Sequence, residues 1–117
     1  GGERVTIGDV TLVVRRVEDA GKDLLRSVAD QIKSTLTSGV VFLAGPTADG
    51  KVAMVASVTG NVTPRLKAGQ LVKALAPMVG GGGGGRPDFA EAGGKDPAQV
   101  DAMLAAAPGV VKRLLDA

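Results

Sequence analysis

The chain has 117 residues, enough for one hydrophobic core and too few for two full domains, so residues 1–117 are read as a single domain. Apolar residues make up 44% of it but aromatics only 2%, Phe42 and Phe89 alone, which argues against nucleic-acid binding on aromatic stacking platforms. With no cysteine and no histidine, disulfides, thiolate chemistry, ordinary zinc sites and imidazole catalysis are all excluded, while a formal charge of +2 permits contact with a polyanion without demanding it.

Residues 10–17 are rich in β-branched side chains and read as a strand, with residues 5–7 as a short partner and Gly8-Asp9 as the turn between them. Leu25, Val28, Ile32 and Leu36 recur at steps of three and four, predicting an amphipathic helix over residues 22–37 with Gly39 as its C′ residue. Residues 40–44 form a continuous apolar run too short for a helix, the mark of a strand buried on both faces and parallel to a neighbour. Turn chemistry over residues 45–50 leads into a hairpin partner at residues 51–58. A second helix is predicted from residues 61–64, with Thr63 as N-cap, Pro64 at the first helical position and a kink at Pro77.

Six consecutive glycines, residues 80–85, then read as a loop: a flexible linker, a place where backbone amides meet a ligand, or a packing site where another backbone approaches closely. Residues 89–92 predict a last short strand. Asp96-Pro97 starts a helix through Val100, Met103 and Leu104, which Pro108-Gly109 separates from a final turn ending at Leu115. The order of elements predicts an α/β fold, a mixed β-sheet flanked by α-helices, with a glycine-rich loop. No membrane-length apolar run and no leader sequence are seen, so a soluble, cytoplasmic protein without a membrane partner is expected.

Among the charges, Lys22, Arg26 and Lys33 fall within about 40° of one another on a helical wheel, a basic edge or else the usual solvated flank of an amphipathic helix. Arg65, Lys67, Lys73, Arg86 and Lys95 stand near the glycines in sequence, where amides and cations together suit a phosphate. Paired carboxylates such as Glu18-Asp19 lack a histidine or a third ligand, and no serine has a base of the usual kind. The glycines are followed by no Lys-Ser/Thr and do not open a helix after a strand, so neither a Walker loop nor a dinucleotide fingerprint is present. Neither a catalytic residue nor a metal site is assigned.

The segment running from Lys67-Ala68-Gly69-Gln70-Leu71-Val72 through the glycines to Arg86-Pro87-Asp88-Phe89-Ala90-Glu91-Ala92-Gly93-Gly94 resembles the DHH-associated domain family, in the branch formed by the C-terminal domains of alanyl-tRNA synthetases. The order of helix 22–37, strand 40–44 and turn Asp49-Gly50-Lys51 is similar to that family too, so the likeness covers almost the whole chain. It implies a non-catalytic RNA-binding module of a larger ligase, one that grips the tRNA elbow and helps aminoacylation and editing domains act on one tRNA. The parent's ATP, magnesium and zinc would belong to other domains, leaving no cofactor here. On this reading Lys67, Gly82, Gly83, Gly84, Gly85 and Arg86, with Lys22, Arg26 and Lys33, contact the RNA backbone. Two alternatives stay open. One is a dimerisation module in which Val110, Val111, Leu114 and Leu115 bury against a second copy or simply complete the core. The other is the nucleotide-binding domain of a DHH-type phosphodiesterase, against which stands the absence of the histidine expected beside that branch's glycines.

Overall fold

The computed structural model describes residues 4–117. Eleven segments follow one another. They are β1 (Arg4–Ile7), β2 (Val10–Arg16), α1 (Lys22–Lys33), β3 (Gly39–Pro46), β4 (Val52–Val58), α2 (Ala68–Leu75), a 3₁₀ turn (Ala76–Val79), β5 (Gly82–Gly85), β6 (Phe89–Gly94), a second 3₁₀ turn (Pro97–Gln99) and α3 (Val100–Asp116). The six strands form one mixed sheet in the order β1-β2-β3-β4-β6-β5. Only β2 and β3 pair in parallel, joined by the helical crossover through α1 that such a pair requires.

The interior of the sheet is buried on both faces, and alternation along its strands sorts the side chains. Leu12, Val40, Phe42, Met54, Val58, Ala90 and Ala92 face α2 and α3, whereas Val41, Leu43, Val55 and Phe89 face α1. β3 is accordingly apolar at successive positions, as expected for an interior strand. Leu71, Val72 and Leu75 seat α2 on the larger of the two clusters, each contributing on the order of 2 kcal/mol of burial. Val111 is buried in that cluster, and Val110, Leu114 and Leu115 pack against it, so these four residues complete the chain's own core.

Several boundaries differ from the sequence expectation. α1 stops at Lys33 rather than running to residue 37, because the hydroxyls of Ser34 and Thr35 donate back to the carbonyls of Gln31 and Ile32. Gly39 therefore opens β3 instead of capping a helix. α2 begins at Ala68, since residues 61–64 are spent on other bonds: Asn61 Nδ2 donates to Ser38 Oγ at 2.6 Å, and Thr63 Oγ1 donates to the Gly60 carbonyl. Pro77 does not kink a helix but lies in the 3₁₀ turn that follows α2, which Gly80 closes in the left-handed region at φ +67°. α3 continues through Pro108-Gly109 without a break.

The glycine run is not a loop. Residues 82–85 form β5 at the edge of the sheet, paired antiparallel with β6, and the reason they are glycine is steric. A Cβ at Gly83 would lie 2.5 Å from the Ala92 Cβ, and one at Gly85 would lie 2.7 Å from the Ala90 Cα and the Phe89 carbonyl oxygen. At Gly82 and Gly84 a Cβ would meet open space.

The alternation generates a stability test. Gly83→Ala and Gly85→Ala are each expected to destabilise the fold by about 1–3 kcal/mol through overpacking, and Gly82→Ala and Gly84→Ala to stay within about 0.5 kcal/mol of wild type. Urea unfolding of the four variants separates the two pairs. Pro108→Ala should add about 1 kcal/mol or more in the same assay, because it restores a helical N–H and removes the ring's clash with the preceding turn.

Candidate functional site

A hairpin tip and a helix end fix the geometry of the β5 edge. The Arg86 N–H donates to the Phe89 carbonyl at 2.9 Å, so Pro87-Asp88 form a two-residue turn between β5 and β6. The Val58 N–H donates to the Asp88 carbonyl and the Ala68 N–H to the Pro87 carbonyl, each at 2.9 Å, tying the tip both to β4 and to the start of α2. A Cβ on Gly69 would come within 3.1 Å of the Gly85 carbonyl oxygen, so the first turn of α2 rests directly on the strand's outer edge. From the Arg86–Phe89 bond, the antiparallel alternation turns the amides of Gly82 and Gly84 toward β6 and those of Gly83 and Gly85 toward the free edge. The six glycines thus make no nest of converging amides. They present a stretch of bare backbone.

Two clefts flank that backbone and share Gly84, Gly85 and Arg86. The first lies against α2 and is lined also by Lys67, Gly69, Gln70, Lys73 and Pro87. It carries three cations and no carboxylate. Lys67, Gln70 and Lys73 recur every third residue and so stand on one side of α2, with the Gln70 Oε1 accepting from the Lys67 N–H at 3.0 Å to hold the helix start. The Lys67 Nζ donates to the Thr63 carbonyl at 3.4 Å. Arg86 is exposed, and its contact with Asp88 at 3.5 Å is of the kind worth less than about 1 kcal/mol, readily exchanged for another anion.

The second cleft lies on the α1 side and is lined by Arg26, Phe89, Ala90 and Glu91 as well as the shared three. Arg26 sits over the Phe89 ring with its Cζ 4.5 Å from the centroid, a cation–π contact worth about 0.5–1 kcal/mol at an exposed site.

Of the residues expected from sequence, the structure brings Lys67, Gly84, Gly85, Arg86 and Arg26 to these clefts. Gly82 and Gly83 lie farther along β5, and neither Lys22 nor Lys33 lines either cleft; along α1 they stand about 6 Å and about 10 Å from Arg26. Arg65 is directed elsewhere: it binds Asp9 at 3.0 Å in the β1–β2 turn, and this hydrogen bond holds the Asp9 carboxyl below its ordinary pKa. Gln70 was not singled out in the sequence, although its spacing with Lys67 and Lys73 marks a common helix face. The Arg26–Phe89 contact was missed as well. Among the described residues no cluster of histidine, cysteine or carboxylates could hold a metal ion, and no helix is long and apolar enough to cross a membrane.

Comparison with known proteins places this geometry in a lineage. A family model described as the DHHA1 domain matches residues 9–113. The alanine–tRNA ligase of Shewanella amazonensis is 46% identical over 104 residues, covering 89% of this chain and 12% of the ligase. That of Ligilactobacillus salivarius is 48% identical over 102 residues, covering 86% and 12%. The chain therefore spans about an eighth of the length of these relatives. The crystal structure of the C-Ala domain from Aquifex aeolicus alanyl-tRNA synthetase superposes with a TM-score of 0.82 and 29% identity, over 97% of this chain and 98% of that one.

Proposed function

The chain belongs to the DHHA1 domain family, and from that premise we propose that it is a non-catalytic, tRNA-binding module of an alanyl-tRNA synthetase. The observation that carries the proposal is the cleft holding Lys67, Lys73 and Arg86 without a carboxylate, beside a strand that has no side chains. A sugar–phosphate backbone needs cations and room to approach closely, and this edge offers both. Lys67, Lys73 and Arg86 contact phosphates, and Arg86 can do so with two parallel N–H groups. Gly84 and Gly85 form the floor over which the backbone passes, Gly82 and Gly83 extend it, and Lys22 and Lys33 add only longer-range attraction.

Recognition on this reading is of shape. Few side chains on this face can read base edges, so the module addresses the elbow, a feature common to folded tRNAs, and leaves the choice of alanine to other domains. It helps the aminoacylation and editing domains of the parent ligase act on one bound tRNA. ATP, magnesium and zinc belong to those domains, and this one takes no cofactor. Relatives named as alanine–tRNA ligases favour this branch over the phosphodiesterase branch of the family. The packing of Val110, Val111, Leu114 and Leu115 on the chain's own core leaves a dimer without a specific observation in its favour.

The test titrates the domain against alanine tRNA, a noncognate tRNA and a minihelix lacking the elbow, across a salt series. Both full tRNAs should bind with a salt-dependent affinity and the minihelix should not; equal binding by all three, or by none, sinks elbow recognition. Arg86→Ala should weaken binding to both tRNAs alike and reduce the slope of log K against log salt by about one. An unchanged slope removes Arg86 from the phosphate contacts.

A further inference from the structure

Resting on the RNA-binding reading above, we infer that Arg26, seated on Phe89, is a stacking platform for one exposed nucleobase rather than a phosphate contact. The two residues come from facing layers of the fold: Phe89 opens β6 on the α1 side of the sheet and is only 8% exposed, and Arg26 is an exposed residue of α1. The guanidinium carbon lies over the phenyl ring, 4.5 Å from its centroid. Arg26 and Phe89 both line the second cleft, together with Gly84 and Gly85.

A guanidinium is planar and weakly hydrated on its faces, so a ring beneath it fixes its plane and leaves the outer face to stack on another flat group. Nucleobases that have lost a neighbour stack in this way on arginine as well as on aromatic side chains. The glycines at the rim give a base the clearance that ordinary side chains would deny it. Among the described residues Arg16, Arg65 and Arg86 are each paired with a carboxylate, whereas Arg26 is paired with a ring. A chain with two phenylalanines and no tyrosine or tryptophan thereby acquires a flat, cationic stacking surface.

The experiment compares Arg26→Lys and Arg26→Met with wild type, titrating a full tRNA transcript across a salt series, with circular dichroism to verify folding. Because Arg26 is exposed, both variants should fold as wild type does. A stack needs the plane and not only the charge, so both should bind about tenfold more weakly, with the salt slope unchanged, in contrast to Arg86→Ala. If Arg26→Lys binds like wild type, or if Arg26→Met lowers the salt slope by about one, Arg26 meets a phosphate and this inference is overturned while RNA binding stands. If the wild-type chain binds no tRNA, both readings fall together.

Discussion

The pairing of β5 with β6 through glycine alone is the constraint on which the rest of this surface depends. A side chain at Gly83 or Gly85 would collide with the backbone of β6, so the strand exists only because those positions are empty. Glycine is a poor strand former, giving up roughly 0.5–1 kcal/mol per residue relative to alanine, and four in a row would not hold a strand without a template. The template is supplied from three directions: β6 by the ladder, β4 through the Val58 N–H on the Asp88 carbonyl, and α2 through the Ala68 N–H on the Pro87 carbonyl. The hydrophobic seat of α2, with Leu71, Val72 and Leu75 fully buried, thus becomes a determinant of where Lys67, Lys73 and the β5 edge stand relative to one another. Core packing and site geometry are one problem here.

Electrostatics then sort the cations by partner. Arg16 is engaged by Glu18 and by Asp101 of α3, at 2.5 and 2.8 Å, and Arg65 by Asp9. Exposed pairs of this kind add little stability. Their effect is on where charge is available, since both lie outside the clefts. Lys67 and Lys73 bring cations to a cleft that no carboxylate lines, although the net charge is only +2. The total charge of the chain says little about such a surface; the placement of four or five groups says most.

How much of this was legible in the sequence follows from what each signal depends on. The β-branched runs gave β2, β3 and β4 because burial on two sheet faces leaves a local signature, and Lys67, Arg86 and the last two glycines were legible because they are near one another in sequence. The start of α2 was not. Thr63-Pro64 has better capping chemistry than Lys67, and only the tertiary bond from Asn61 to Ser38 reveals that this segment is occupied elsewhere. The strand character of the glycines was hidden for a related reason: propensity favours a loop, and the template that overrides it is assembled from β4, β6 and α2. The Arg26–Phe89 contact spans 63 positions and depends on α1, seated over β3 and β4, bringing Arg26 to the start of β6, so no periodicity could report it.

A glycine tract held as a strand also changes the energetics of binding. A flexible loop would have to be ordered by its ligand, at roughly 1–2 kcal/mol of backbone entropy per residue fixed, which four residues could turn into the loss of most of a weak contact. In this fold that ordering is done when β6, β4 and α2 assemble, before any ligand arrives. A modest set of phosphate contacts can then appear as net affinity. Tethered within a longer enzyme, such a module needs no high affinity of its own, because its encounter with a tRNA already held elsewhere is intramolecular, at an effective concentration reaching the millimolar range. On the proposed reading, a bare edge already held as a strand and carrying few cations suits that task better than a strongly basic surface, which would hold every polyanion it met and release the tRNA slowly.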